Sequence, residues 1–269
     1  MQTEHGFKAC YMGTFLLLVG VHSMVFADLV TDRPDQTESS STVSPGYIQL
    51  EMGWTHSTEG DPVDTKADSF PETLVRVGLV EHLELRFGYD GFLWEDTNTR
   101  PKRTHLDGSG DALAGLKWWF WEEQAWRPEA ALLVHSSLPA GETDVSSDRF
   151  DPDFRLAFSH TLNERLGFAY NVGQAWGTER DSRGDRDTLS VFVYSAALGI
   201  ALTDKWSGFV EFFGDIPLNA TGGPANSMDG GMTYLLKDNL QLDMLAGFGL
   251  SEAAADWFLG IGLSLRLPN

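Results

Sequence analysis

The feature that most constrains the fold is a two-residue alternation of apolar and polar side chains that recurs along most of the chain. It is clearest at the end, where the apolar face consists of Trp257, Leu259, Ile261, Leu263, Leu265 and Leu267. Successive side chains of a strand point to opposite faces, so this period predicts strands with one apolar side. Many of these segments approach the ~9–11 residues of a tilted membrane-crossing strand. We predict about twelve: 47–57, 70–80, 83–90, 111–121, 126–138, 151–161, 165–177, 187–202, 206–216, 228–236, 240–249 and 257–267.

The connections between these segments alternate in length. The short ones are 80–82, 122–125, 162–164, 203–205 and 237–239. The long, polar ones are 58–69, 97–110, 139–150, 178–186 and 217–227. Short periplasmic turns and longer outer loops are typical of outer-membrane barrels. The sequence therefore predicts an all-β fold, a transmembrane antiparallel up-and-down β-barrel of about twelve strands with a short N-terminal periplasmic or plug segment.

Composition agrees with this fold. The mean hydropathy is −0.20, so no helical span is expected after residue 27. A barrel confines its apolar surface to alternate residues, which keeps the average low. Nine tryptophans cluster near the ends of the predicted strands, where interfacial aromatic belts form. The net charge of −20 makes nucleic acid a poor partner, because phosphate binding needs a basic surface. The expected partners are membrane lipid and small-molecule solutes.

The N-terminus has the pattern of a secretory signal peptide. An apolar run extends from Phe15 to Ala27, and it is interrupted by His22 and Ser23, which is unusual for a membrane anchor. We predict cleavage after residue 27, with translation starting at Met1 or Met12. The three expected regions are a signal peptide (1–27), an N-terminal polar segment that is a plug or a tail (28–45) and an outer-membrane β-barrel (46–269). The expected location is the outer membrane of a Gram-negative-type cell.

The chain resembles a family of outer-membrane proteins named for the MetA pathway of phenol degradation. The residues that carry the resemblance are Thr31-Asp32-Arg33-Pro34-Asp35-Gln36-Thr37-Glu38, Gly46-Tyr47-Ile48-Gln49-Leu50-Glu51 and Gly262-Leu263-Ser264-Leu265-Arg266-Leu267. The resemblance implies a transporter-like barrel that passes small, often hydrophobic or aromatic, compounds, and it supplies no catalytic residues. The chain departs from many barrels in ending Leu267-Pro268-Asn269 rather than on an aromatic residue.

Charged residues on the polar phase of the strands predict a polar lumen. The candidates for lumen or selectivity residues are Arg76, Glu84, Arg86, Asp90, Lys117, Arg155, Glu211, Asp243 and Arg266, and Glu51, Asp111 and Glu129 share their phase. They either neutralise one another in a filled interior or line a narrow channel. The plug candidates are Asp32, Arg33, Asp35 and Glu38, with Arg76, Arg86 or Arg155 as partners. The alternatives are a disordered periplasmic tail and a partner-binding segment.

Enzymatic and metal sites are not expected. Neighbouring Ser and His residues on one strand point to opposite faces, so only a cross-strand dyad such as His135 with Ser159 stays open. The aspartates of the 139–150 loop region, Asp144, Asp148, Asp151 and Asp153, do not have the spacing of a known calcium loop. We predict no enzyme, no cofactor and no metal.

Three functions are compatible with these patterns. The first is an outer-membrane channel or transporter for passive passage of small solutes, hydrophobic or aromatic ones among them. The second is a structural or partner-binding barrel with a filled lumen. The third, less favoured, is a lipid-modifying barrel enzyme. The sequence specifies neither the substrate nor the oligomeric state.

Overall fold

A computed structural model describes residues 29–60, 63–99, 101–180, 186–220 and 223–268. The predicted signal peptide (1–27) and both candidate start residues lie outside these ranges, so they stay predictions. Among the described residues, no helix has the length and hydropathy needed to cross a bilayer.

The described chain forms fourteen strands joined by turns and loops. They are β1 (Ile48–Glu59), β2 (Asp64–Val80), β3 (Leu83–Tyr89), β4 (Phe92–Asn98), β5 (Arg103–Ser109), β6 (Ala112–Trp121), β7 (Glu129–Leu138), β8 (Pro152–Thr161), β9 (Leu166–Arg180), β10 (Arg186–Ala201), β11 (Trp206–Pro217), β12 (Ala225–Lys237), β13 (Leu240–Gly249) and β14 (Trp257–Leu267).

The strands close into an antiparallel barrel. β1 pairs with β2 on one side and with β14 on the other, and Ile48 lies opposite Leu267. The wall is twelve strands around, because β4 continues the path of β3 and β5 precedes β6 in the next position. This confirms the predicted all-β barrel of about twelve strands. Both chain ends of the barrel lie on the side of the short turns.

Two predicted loops are largely strand, which corrects the sequence reading. Within 58–69, β2 already begins at Asp64, and within 97–110, β5 spans Arg103–Ser109. The hairpin β4–β5 adds to the outer half of β2. These strands are rich in polar residues and lack the apolar alternation that marks the others. Hydrogen bonds between the backbones of neighbouring strands are enough to form these strands without an apolar face.

A break in the wall separates β3 from β4 and β5 from β6. Gly91 adopts φ +90°, a left-handed conformation that favours glycine. The two breaks face each other, since Asp90 N donates to Asp111 O at 3.0 Å and Gly110 N donates to Gly91 O at 2.8 Å. Both strand positions are therefore interrupted at the same height of the wall.

The distribution of side chains is inverted relative to a soluble protein. Phe212, Met244 and Ile261 have 40%, 56% and 53% of their surface exposed. Arg76 and Lys117, by contrast, are buried, with 1% and 0% exposed. Exposed tryptophans such as Trp118 and Trp206 lie towards the short turns, and Trp94 and Trp257 lie near the outer loops. An apolar outside with aromatic ends and a polar inside is the arrangement of an outer-membrane barrel.

Candidate functional site

Residues 29–45 pass through the interior of the barrel before β1 begins. Asp32, Thr37 and Ser40 in this segment are buried, with only 7%, 3% and 1% of their surface exposed. Their side chains bond to residues of β3, β6, β7, β8, β10 and β11. We call residues 29–45 the N-terminal segment. The structure thus brings the predicted plug candidates into the lumen.

Asp32 lies at the centre of a cluster of cations. Its carboxylate accepts hydrogen bonds from Lys117 Nζ at 2.9 and 3.0 Å and from Arg86 Nη1 at 2.6 Å, and Arg76 Nη1 lies 3.2 Å away. Burial alone would raise the pKa of Asp32, but the charges of Arg76, Lys117 and Arg86 hold it well below its usual value of 3.8. The aspartate is therefore a firmly ionised anchor.

The cations also pair with further carboxylates, some on the wall and one, Glu38, on the segment itself. Arg76 donates to Glu84 at 2.8 and 3.0 Å and to Glu51 at 3.1 Å. Arg86 donates to both oxygens of Glu38, at 2.8 and 3.0 Å. Buried charges of both signs are tolerated only when paired and hydrogen-bonded in this way. Arg76, Glu84, Arg86 and Lys117, four of the predicted lumen residues, thus form one network with the segment.

Arg33 extends from the segment towards other strands. Its backbone N–H donates to Glu51 at 2.9 Å, and its guanidinium lies 3.4 Å from Glu72 and 3.5 Å from Asp243. The guanidinium lies flat against Gly53 and Gly262, where any larger side chain would overlap it. These glycines allow the close approach of the segment to β1 and β14.

The segment meets β11 through uncharged donors. Gln36 N donates to Glu211 at 2.7 Å, and the Thr37 hydroxyl donates to the same carboxylate. Asp229 lies directly opposite Glu211 on β12, and neither of its carboxylate oxygens has a partner among the described residues. Burial and the charge of Glu211 raise the pKa of nearby Asp35 well above 3.8. The charges that act on Asp35 are thus those of Glu211, Asp32 and Asp229, and among the described residues it forms no ion pair with the arginines proposed for it from sequence.

The remaining predicted lumen residues lie apart from the network. Arg155 contacts Asp153 at 3.7 Å in the outer half of the barrel and forms no ion pair with the described N-terminal segment, because its position on β8 lies above it. Asp90 is exposed just after β3. Arg266 lies at the rim of the short turns, 5.6 Å above the ring of Tyr47. Asp111, also on the polar phase, accepts N–H groups of Ala140, Gly141 and Ser147 and anchors the β7–β8 loop.

The dyad left open by the sequence does not form. Ser159 lies opposite Glu129 and bonds to Ser40 at 2.6 Å, whereas His135 lies opposite Asp153. Pairing register keeps the two side chains several residues apart along the barrel. The loop aspartates are also dispersed, and no group of acidic or histidine side chains in the described part of the chain is arranged to hold a metal.

Sequence reasoning missed several residues that the structure brings into the lumen. Asp229 lies on the polar phase of a predicted strand, so its phase alone would have identified it. Glu72 follows Pro71, which obscures the alternation, and Ser40 belongs to the segment and bonds to Glu129 at 2.6 Å. His135 and Asp153 were considered only as parts of other sites.

Two cavities lie in the outer half of the lumen, above the segment. One, of about 460 Å³, is bordered by Gln36, Val193, Phe213 and Phe258. The other, of about 550 Å³, is bordered by Leu74, Leu93, Leu113 and His135. Arg155 borders both, so the two spaces adjoin at this side chain. Each is within the ~300–1,000 Å³ typical of small-molecule sites.

Comparison with family models gives one match over most of the chain. The model described as "Putative MetA-pathway of phenol degradation" matches residues 31–267. A sequence search of curated proteins finds no match.

Solved structures share the fold at low sequence identity. An outer-membrane channel from Pseudomonas putida F1 is similar with a TM-score of 0.64 and 12% identity, over 85% of this chain and 98% of that chain. The NanC porin has a TM-score of 0.54 and 10% identity, over 82% of this chain and all of that chain. The translocator domain of the autotransporter NalP from Neisseria meningitidis has the same score and identity, over 82% and 87%. At these identities, the likeness concerns the barrel fold.

Proposed function

Since this chain belongs to the family described as "Putative MetA-pathway of phenol degradation", we propose that it is a passive outer-membrane channel for small solutes. Hydrophobic or aromatic solutes are the favoured class. Two of the similar barrels are described as an outer-membrane channel and a porin, which supports a channel role. The third, an autotransporter translocator, carries the same fold with another role, so the fold alone does not decide.

The observation that carries the proposal is a pair of outer cavities closed from below by the N-terminal segment. The cavities, of about 460 and 550 Å³, are bordered by apolar side chains such as Phe213, Phe258 and Leu113, together with charged residues of the lumen such as Arg155. A solute entering from outside reaches these spaces first. The segment with its ion pairs then occupies the path towards the short turns. The segment is therefore the element that controls passage.

Deletion of residues 29–45 tests this function. We expect the single-channel conductance in planar bilayers to rise, and proteoliposomes to take up toluene faster, because the segment no longer fills the lumen. Heat-modifiable migration on gels confirms that the barrel is closed before either measurement. The proposal is contradicted if neither the full chain nor the deletion conducts in the bilayer and if neither takes up toluene faster than protein-free liposomes do.

A second candidate is a structural barrel with a filled lumen. It is favoured by the density of the ionic network, in which Arg76 and Lys117 are almost wholly buried. The substitution Arg86→Met separates the two functions. In a channel it changes the conductance of a barrel that still assembles, whereas in a filled structural barrel it lowers thermal stability and leaves conductance at zero.

We do not propose an enzymatic role. The separation of Ser159 from His135 removes the cross-strand dyad that the sequence named as its example. Wild-type and His135→Ala proteins are expected to be equally inactive towards phospholipid.

A further inference from the structure

The cavity of about 460 Å³ is bordered by a carboxylate that has no partner among the described residues. Asp215 lies on β11, borders this cavity and is only partly buried. No cation and no hydrogen-bond donor of the described chain acts on it. Its oxygens are open to solvent, in contrast to the enclosed oxygens of Asp229, so a ligand in the cavity can reach them. A partly desolvated carboxylate without a partner favours a ligand of opposite charge.

Two aromatic rings border the same cavity. Phe213 lies two residues before Asp215, so both side chains point into the lumen from one strand. Its ring packs against that of Phe258 on β14, with 5.9 Å between the centroids and 68° between the planes. Gly247 lies opposite Phe258 and leaves the space that this ring occupies, because a side chain there would overlap it. Ring faces carry partial negative charge, so rings beside a carboxylate suit an organic cation.

The N-terminal segment forms the lower border of the cavity at Gln36. The backbone N–H of Gln36 donates to Glu211 at 2.7 Å, and the hydroxyls of Thr37 and Ser195 lie 2.8 Å apart. These contacts hold this part of the segment against β10 and β11. The side chain of Gln36 is exposed and borders the cavity. Its carbonyl oxygen is a further acceptor that can face a positive charge.

The charges at the border favour a cation over an anion. Among the described residues that border this cavity, only Asp215 and Arg155 are charged. Arg155 Nε lies 3.7 Å from Asp153, so its charge is partly offset, whereas that of Asp215 is not. The two residues are three strands apart, which is roughly 14 Å along the wall at 4.7–4.9 Å per strand. A cation beside Asp215 is therefore attracted more strongly than Arg155 repels it.

The cavity adjoins the outer loops. Ala253, Ala254 and Ala255, which border it, belong to the connection between β13 and β14. These small, uncharged side chains leave the approach to Asp215 from the outer side free of competing charges. A volume of about 460 Å³ is ample for a trimethylammonium group on a short chain.

We propose that this cavity is a binding site for small organic cations, in which Asp215 faces the positive charge and the rings of Phe213 and Phe258 pack against its alkyl substituents. The site adds a solute class to the channel of the previous section. It rests on that function for its role in transport, but not for its existence. It discriminates cations from neutral molecules and from anions of the same shape.

Binding of choline and of two molecules of closely matched shape tests the site. In 3,3-dimethyl-1-butanol a carbon replaces the charged nitrogen of choline, and 3,3-dimethylbutanoate carries a negative charge. The detergent-folded mature protein is used in equilibrium dialysis with empty micelles as the reference. The detergent is an uncharged maltoside, because a phosphocholine detergent would compete. We expect choline to bind about tenfold more tightly than the alcohol, and the carboxylate to bind most weakly.

Two substitutions separate the contribution of the charge from that of the rings. Asp215→Asn should weaken choline about tenfold and leave the alcohol unchanged, because it removes the charge and keeps the shape. Phe213→Leu keeps an apolar side chain and removes one ring, so it should weaken choline about threefold. Asp204→Asn, at an exposed turn, is the matched control and should change neither ligand.

The proposal is overturned if the wild type does not bind choline, binds choline and the alcohol equally, or binds the carboxylate most tightly. Unchanged choline affinity in Asp215→Asn overturns it too. So does loss of the alcohol in that variant, because it indicates a collapsed cavity.

Dialysis needs no conducting barrel, so failure of the site is distinct from failure of the channel. Equal affinities in a barrel that conducts and takes up toluene remove the cation site and leave the channel. A preference for choline that is lost in Asp215→Asn, in a barrel without conductance or uptake, supports the site and contradicts the channel.

Discussion

The two sides of the lumen hold the N-terminal segment by different means. On the cationic wall, formed by Arg76, Arg86 and Lys117, the segment is bound through the ionised Asp32 at 2.6–3.2 Å. On the acidic wall, formed by Glu211, Asp229 and Asp243, it is bound through a backbone N–H and a hydroxyl. The only ion pair of the acidic wall among the described residues is that of Asp243 with Arg33, at 3.5 Å.

This difference predicts which side of the segment detaches first. Asp32 and Asp35 are three residues apart, yet the pKa of Asp32 is lowered and that of Asp35 is raised. Asp32 is stabilised as an anion by the wall it faces, whereas Asp35 brings a third carboxyl group towards Glu211 and Asp229. Opening therefore begins at the acidic wall, and complete release requires the cationic wall to yield.

The largest expected effect comes from removing the charge of the main anchor. Asp32→Asn leaves three buried cations short of one carboxylate, and breaking a buried pair in this way costs about 3–5 kcal/mol. The loss falls on docking of the segment rather than on closure of the barrel. We expect the open probability in planar bilayers to approach that of the deletion of 29–45.

The matched control is Asp204→Asn, the same chemical change at an exposed turn. It should conduct as the wild type does. If Asp32→Asn also leaves the open probability at the wild-type level, the cationic wall is not what holds the segment.

The same substitution on the acidic wall should have the opposite sign. Asp229 lies opposite Glu211, and two carboxyl groups directly across two strands cannot both ionise without a cost of roughly 0.2–1 kcal/mol. Asp229→Asn removes this cost and supplies a donor to the neighbouring carboxylate. We expect a higher unfolding temperature and a lower open probability. A lower unfolding temperature for Asp229→Asn would show that the charge of Asp229 stabilises the barrel. It would contradict the difference drawn between the cationic and the acidic wall.

The sequence predicts the barrel better than it predicts this contrast between walls. Lipid enforces alternation along each spanning strand, so the twelve strands can be found from residue types alone. The constraint ends where lipid ends, which is why β5 was assigned to a loop and β4 was not among the predicted strands. Strand phase also placed Arg76, Arg86 and Lys117 inside.

The partners of these residues could not be obtained in the same way. That Asp32 meets all three cations, while Arg155 meets Asp153, depends on pairing register and on the path of the segment through the lumen. Neither the pairing register nor the path of the segment can be deduced from the two-residue alternation along a single strand. Asp35 and Glu38 are both acidic residues of the segment, and both were expected to pair with luminal arginines. Glu38 does bond to Arg86, whereas the charges that act on Asp35 are those of other carboxylates.

The smallest expected effect is a dependence of opening on pH. The docked pKa of Asp32 is low, so its contribution is present above its usual value of 3.8 and is lost as the pH falls through the docked pKa. The docked pKa of Asp35 is raised, so its contribution is present below 3.8 and is lost as the pH rises through the docked pKa. Open probability should therefore increase as the pH rises above 3.8 and through the raised docked pKa of Asp35. Asp35→Asn should flatten this increase, and an equally steep increase in that variant would separate the pH response from the acidic wall.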